Sequence, residues 1–374
     1  MQAFDLRSRR ATAAFYLAVP MTRSYHDQYQ SGAHALVLIL TSVLLLATFV
    51  AAIVYGSTPI PLQSVLGALT GQLANGNPDV EIILSIRLPR AITACLAGSA
   101  LGIAGLQMQT LMRNPLADPF VLGITSGASL GVALVVLASG SAIGAFLSGG
   151  LGVGGGLAIV AAATMGGIIV LLPTLAVASR LQNPSTVLIF GLMIGYAVSA
   201  LVTVLVAGAA PDQLERWTAW GFGSFSAVTW TELQILAPVV ALGLAVALLT
   251  IKQLNALLLG ENYARSMGLN TRAMRLLTMA IASLLAGAVT AFCGPIGFLG
   301  IAVPHIARAV LRSADHRMLV PATILLGAQI ALLAQLVALL PSNFGVLPLN
   351  AVTALIGAPV MIYVILRSRS GVFV

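Results

Sequence analysis

Ten apolar runs, each nearly free of charge, decide what this chain can fold into. They fall at about 34–55, 91–111, 118–139, 154–178, 186–208, 229–250, 273–293, 296–312, 319–341 and 346–366. A helix needs roughly 20 apolar residues to cross about 30 Å of hydrocarbon. In that medium every backbone N–H and C=O must be satisfied internally, so such runs become helices. The expected fold is an all-α polytopic membrane protein with about ten transmembrane helices. A water-soluble alternative fails on charge: 7% of the 374 residues are charged and 59% are hydrophobic, against about 25% charged in a soluble domain. The 37 glycines suit helices that approach closely in lipid.

Orientation follows the bias of lysine and arginine toward the cytoplasm. With the N-terminus inside, 15 of the 18 basic residues fall on inside segments, and only Arg87, Arg90 and Arg216 stay outside. Both termini are therefore expected in the cytoplasm, at the bacterial inner membrane. Residues 1–33 read as a cytoplasmic tail, 34–368 as the membrane domain with a cytoplasmic loop at 252–275, and 369–374 as a second tail. The first run is too long, and its polar lead too extended, for a cleaved signal peptide; Met21 offers an alternative start. The stretch Gly149 to Gly156 and the prolines at 173, 295, 304, 348 and 359 point to broken or kinked helices.

Several function classes are disfavoured. Cys95 and Cys293 are too few and too isolated for a disulfide framework or a metal site. The net charge of +8 is scattered, without the aromatic interleaving of a nucleic-acid surface. No span carries a conspicuous ionisable residue near its centre, the usual mark of proton or sodium coupling, which weighs against a secondary transporter. No phosphate-binding Gly-x-x-x-x-Gly-Lys-Ser/Thr loop and no protease or hydrolase signature occurs, so the chain is expected to hold no ATPase site, no catalytic residues and no cofactor.

Five segments occur together. They are Arg87-Leu-Pro-Arg90; the stretch from Gln109 through Arg113-Asn114-Pro115-Leu-Ala-Asp118-Pro119; Gly260-Glu261-Asn-Tyr-Ala264-Arg265-Ser-Met-Gly268; Gly294-Pro-Ile-Gly297 to Pro304-His305-Ile-Ala-Arg308 with Asp315-His-Arg317; and Leu355-Ile-Gly-Ala-Pro359. In this order and spacing they closely resemble the permease family of iron-siderophore, haem and cobalamin importers, the type II ABC importers. The resemblance covers essentially residues 34 to 368.

The resemblance implies a ten-span subunit that forms a homodimer and translocates an iron chelate from periplasm to cytoplasm by alternating access. Ferric siderophore is the first expectation, with haem and cobalamin as alternatives. Two cytoplasmic ATPase subunits would bind ATP and magnesium, and a periplasmic binding protein would deliver the cargo. Arg87 and Arg90 would dock carboxylates of that binding protein, a role that suits the planar guanidinium fork; headgroup anchoring is the plainer reading. A third docking arginine and an acidic residue of the cobalamin-type pattern are missing, at Leu339 and Val346, and Asn350 replaces a glycine.

Gly260, Glu261, Ala264, Arg265 and Gly268 would form the element that receives motion from the ATPase. Glu261 suits a helix start and Gly268 a helix end. Arg113, Asn114, Pro115, Asp118 and Pro119 read as a structural turn, with gate support as the sharper alternative. Pro304 and His305 read as packing or hydrogen-bonding residues. On the fifth span Gly191, Met193, Gly195 and Tyr196 are candidates to line the pathway, against the equal alternative that the glycines only pack helices. Trp217, Trp220 and Trp230 read as an interfacial belt.

Overall fold

The computed structural model describes residues 32–56, 60–71, 77–138, 155–180, 184–340 and 346–368. Residues 1–31 of the expected N-terminal tail, the whole expected C-terminal tail and most of the Gly149 to Gly156 stretch lie outside them, while residues 32 and 33 already belong to the first helix. The described residues are helical with no strand. The helices are α1 Gly32–Val54, α2 Leu62–Leu69, α3 Pro78–Met112, α4 Ile124–Ala138, α5 Gly155–Arg180, α6 Pro184–Ala207 and α7 Pro211–Gly221. They continue with α8 Trp230–Leu249, α9 Ile251–Leu258, α10 Glu261–Ser266, α11 Thr271–Cys293, α12 Leu299–Leu311, α13 His316–Ala338 and α14 Leu349–Ser368.

Seven of these are long and apolar enough to span a membrane: α1, α3, α5, α6, α8, α11 and α13. Three shorter apolar helices, in α4, α12 and α14, occupy the remaining expected runs. Pro173, Pro304 and Pro359 sit inside continuous helices. Gly294 and Pro295 break the path between α11 and α12, with φ of 75° at Gly294 and 68° at Phe298.

The bundle is built around α3. Its apolar window is 83% buried, against 17% for α6, so α3 is the axis and α6 a face. Two glycines of α3 explain how neighbours come so near. A Cβ on Gly98 would lie 2.1 Å from the Gly327 carbonyl oxygen of α13, and one on Gly105 1.7 Å from the Gly300 oxygen of α12. Backbone approach of this kind is the main source of helix association in lipid, where burial of apolar surface supplies little. Polar side chains add interhelical bonds: Gln329 Nε2 donates to Thr48 Oγ1 at 2.7 Å, and Ser99 Oγ to the Ile324 carbonyl at 2.9 Å.

α3 begins at Pro78, well before the expected start near residue 91, and Arg87-Leu-Pro-Arg90 lies inside it. A proline removes one N–H and clashes with the carbonyl four residues back. Here residues Ile82–Arg87 form a π-helical turn, in which the Leu88 N–H bonds the Ile83 carbonyl. That shift leaves the Leu84 carbonyl facing Pro89, which has no N–H to give. The Trp230 indole N–H bonds Leu84 O at 2.8 Å instead. Trp230 is thus a staple between α8 and α3 as well as a residue of the outer rim.

Candidate functional site

The polar chemistry gathers at the two ends of the bundle. One end, here the basic end, carries the α9–α10 corner together with Arg113, Arg308, Arg312 and Arg317. Its corner is shaped by glycines. Gly260, at φ 118°, precedes α10, whose first residue is Glu261. Gly268, at φ 83°, closes α10: its N–H bonds Arg265 O at 2.9 Å, and the Leu269 N–H bonds Ala264 O at 3.0 Å. This double bond is a Schellman cap and satisfies the last carbonyls of α10. Ala264 is wholly buried beneath the corner.

Three contacts fasten the corner to the spans. Arg275 Nη2, near the start of α11, donates to Glu261 Oε1 at 2.6 Å, and Arg265 Nη2 lies 3.6 Å from Oε2. Arg113 Nη2 reaches the Leu257 carbonyl at 3.5 Å. Asn255 of α9 grips the start of α13: its Oδ1 accepts from the backbone N–H of His316 at 2.9 Å and from ring Nδ1 at 3.0 Å, while its Nδ2 donates to Asp315 Oδ1 at 2.6 Å. Burial opposes ionisation of Asp315, but bonds from the Arg317 N–H and the Asn255 amide outweigh it and hold the carboxyl below its ordinary value. The outer surface of the corner carries apolar side chains among exposed Asn262, Arg265 and Ser266: Leu259, Tyr263 and Met267 are 66%, 51% and 61% exposed. Beside it a cleft of about 630 Å³ opens between Met112, Arg113, Leu259, Gly260, Glu261 and Tyr263.

The turn after α3 is structural in its details. Arg113 takes φ 45°, Asn114 Oδ1 accepts from the Leu116 N–H at 2.9 Å, and Asp118 Oδ1 accepts from the Phe120 N–H at 2.9 Å, starting a short 3-10 turn at Pro119. The third span therefore begins at Ile124, after the turn. His305 Nε2 donates to the Pro115 carbonyl at 2.8 Å, which fixes this turn to α12 beside Pro304. Arg308 Nη1 donates to Gln109 Oε1 at 2.6 Å, and Gln109 Nε2 to Ile301 O at 3.2 Å. Burial raises the Asp118 carboxyl to about 6, against the opposing pull of the Phe120 N–H.

At the opposite end, Arg87 and Arg90 part company. Arg87 is 4% exposed, and its Nη1 donates to the last carbonyls of α1, Ile53 O at 2.9 Å and Val54 O at 2.5 Å. A cation at a helix C-terminus satisfies orphan acceptors and complements the helix dipole. Arg90 is half-buried, and its buried Nε has no hydrogen-bond partner among the described residues. Of the positions that depart from the cobalamin-type pattern, Val346 is 70% exposed on the surface and Leu339 is half-buried. Asn350 faces inward, with Oδ1 accepting from the Gly297 N–H at 3.1 Å and its own N–H bonding Phe222 O at 3.0 Å.

The pathway candidates divide as well. Gly191 is buried, and a Cβ there would lie 2.7 Å from Val121 O, so it packs α6 against the 3-10 turn. Met193 and Tyr196 are 53% and 64% exposed. Gly195 and Tyr196 border a groove of about 320 Å³ between α4 and α6, which also takes in Ser126, Ser129 and Ser199. Thr110, Arg308 and His316 stand within the motif segments without an assigned role, and Asn255 lies in none of them. The one local signal was Asp315, an N-cap residue directly before the apolar run of α13.

Ten apolar helices packed on a glycine-lined axis, α3, with polar clusters at both ends, define a polytopic membrane protein. The chain belongs to the FecCD transport family, whose family model matches residues 44–367. It is 36% identical over 328 residues to the vitamin B12 import system permease protein BtuC of Klebsiella pneumoniae, covering 88% of this chain and 92% of that protein. It is 34% identical to the ABC transporter permease protein YvrB of Bacillus subtilis, covering 84% and 89%. A solved structure of a metal-chelate-type ABC transporter in an inward-facing conformation is similar at a TM-score of 0.75, 26% identity and coverage of 88% and 99%. The chain is thus an ABC importer permease of the FecCD/BtuC type, a multi-pass membrane protein.

Proposed function

We propose that this chain is the membrane subunit of an ATP-driven importer that carries a ferric siderophore from periplasm to cytoplasm by alternating access. Two copies enclose the pathway, with α6 and its exposed Met193 and Tyr196 on the wall. The basic end faces the cytoplasm, and both termini lie there. The chain holds no ATP and no cofactor; ATP and magnesium belong to two ATPase partners. The observation that carries the reading is the α9–α10 corner. It stands outside the apolar spans, is tied to them by charged and amide contacts, and still presents Leu259, Tyr263 and Met267 outward. Apolar side chains exposed beyond the membrane call for a protein to cover them, and the ATPase is that partner.

A periplasmic binding protein meets the opposite end. Arg90, half-buried at that end, supplies the cation for it, while Arg87 holds the end of α1 in place beside it. Cobalamin is the second reading, supported by the identity with the vitamin B12 permease; the exposed Val346, where that pattern has an acidic residue, favours the siderophore.

The test is uptake into proteoliposomes holding this chain, its ATPase and its binding protein. Radio-iron from a ferric siderophore should accumulate only with ATP and resist competition by haem and by cobalamin. Uptake without ATP would overturn the importer mechanism. ATP-driven uptake of cobalamin or haem alone would keep the mechanism and replace the cargo.

A further inference from the structure

The bonds around His316 place a proton on its Nδ1. Asn255 Oδ1 lies 2.9 Å from the backbone N–H of His316, which can only donate, so this oxygen is an acceptor and the amide orientation is fixed. His316 Nδ1, 3.0 Å from the same oxygen, must then carry a proton. In the neutral ring Nε2 is bare, and it faces Thr110 Oγ1 at 2.9 Å. With the ring neutral, the Thr110 hydroxyl turns to Nε2 and away from Leu106 O, its alternative acceptor. The other acceptor near that hydroxyl, Leu106 O at 2.8 Å, loses little, because it already belongs to the ladder of α3. His316 and Thr110 are 1% and 4% exposed, so water cannot substitute for either bond.

We infer that Asn255, His316 and Thr110 form the latch that makes the coupling corner and the central helix pair α3–α13 move as one body during transport. The inference rests on the ATP-driven reading above and names the residues that transmit the motion. Asn255 caps α13 in trans by holding an N–H that no turn of that helix can use. His316 carries the connection across α13 to α3. The two helices are then locked by the backbone contact between Gly98 and Gly327. From there α3 runs to Arg87 and Arg90 at the far end.

These are positioning residues, and the ratio of cargo moved to ATP hydrolysed reads their role. Asn255→Ala should assemble with the ATPase and hydrolyse ATP, yet move about tenfold less ferric siderophore per ATP in proteoliposomes. Asn255→Asp sets a second carboxylate against Asp315 and should also uncouple. Adding Asp315→Asn removes the second carboxylate and restores a donor facing an acceptor, at the expense of the Arg317 N–H, which shares Asp315 Oδ1 with the Asn255 amide, and should recover part of the lost ratio. An unchanged ratio in Asn255→Ala overturns the latch. If that variant does not assemble, the exchanged pair decides: a ratio no better than that of Asn255→Asp alone overturns it. A wild-type complex that moves no siderophore, haem or cobalamin with ATP overturns the importer reading and the latch together, so the two failures are distinguishable.

Discussion

Arg87 and Arg90 are three residues apart on one helix, yet their environments assign them different work. Removing the Arg87 guanidinium leaves the Ile53 and Val54 carbonyls without their donor, and an unmade bond to a charged group costs on the order of 2 kcal/mol. Arg87→Ala should therefore lower the melting temperature of the detergent-solubilised protein, whereas Arg90→Glu should leave it unchanged and weaken capture of the binding protein by immobilised permease. Equal melting losses in the two variants would refute the division. Asp118 gives a second test. Its folded carboxyl titrates near 6, above the ordinary 3.8, so the folded state holds a proton that the unfolded state has released between those values. Stability then falls as pH rises through that window and stays level above it. Asp118→Asn keeps an acceptor for the Phe120 N–H and has nothing to titrate. It should melt higher than wild type at pH 8, and the difference should shrink toward pH 4; a pH-independent difference would show that Asp118 is ionised throughout.

Among the helices, legibility depended on how local the cause was. Hydropathy marks the spans because lipid rewards uninterrupted apolar length, and the Gly260 and Gly268 boundaries of α10 could be read because backbone conformation is decided within a few residues. The start of α3 could not. Asp79, Glu81, Arg87 and Arg90 lower the hydropathy there, and Pro89 looks like a helix start; the π turn and the Trp230 indole that carry the helix through involve a residue 146 positions away. The latch was hidden for the same reason, since His316 lies 206 residues from Thr110 and 61 from Asn255. Helix contacts carry an asymmetry that sequence also conceals. A Cβ on Gly105 meets the Gly300 oxygen at 1.7 Å, but one on Gly300 meets nothing nearer than 3.4 Å. Gly105→Ala should destabilise by at least about 1–3 kcal/mol, the usual range for overpacking, and Gly300→Ala by much less. Comparable melting temperatures for the two would mean that α3 and α12 are not in backbone contact.

At the scale of the whole molecule, the two ends are fixed relative to each other by contacts that span the chain. His34 Nε2, near the start of α1, donates to Leu311 O at the end of α12, while the far end of α1 is held by Arg87. The alternation of span directions follows, and the remaining question is which end faces the cytoplasm. Import requires the α9–α10 corner to be inside, because ATP is there, and the basic side chains at that end agree with the retention of lysine and arginine on the cytoplasmic side. Two exposed positions report it directly: Met267, 61% exposed at the corner, and Arg216 on α7 at the opposite end. With Cys95 first changed to serine, Cys293 left buried and the permease expressed without its ATPase, a membrane-impermeant maleimide should label Arg216→Cys in spheroplasts and Met267→Cys only in inverted vesicles. The reverse pattern would place the corner outside, away from ATP, and the ATP-driven import proposed here would fail with it.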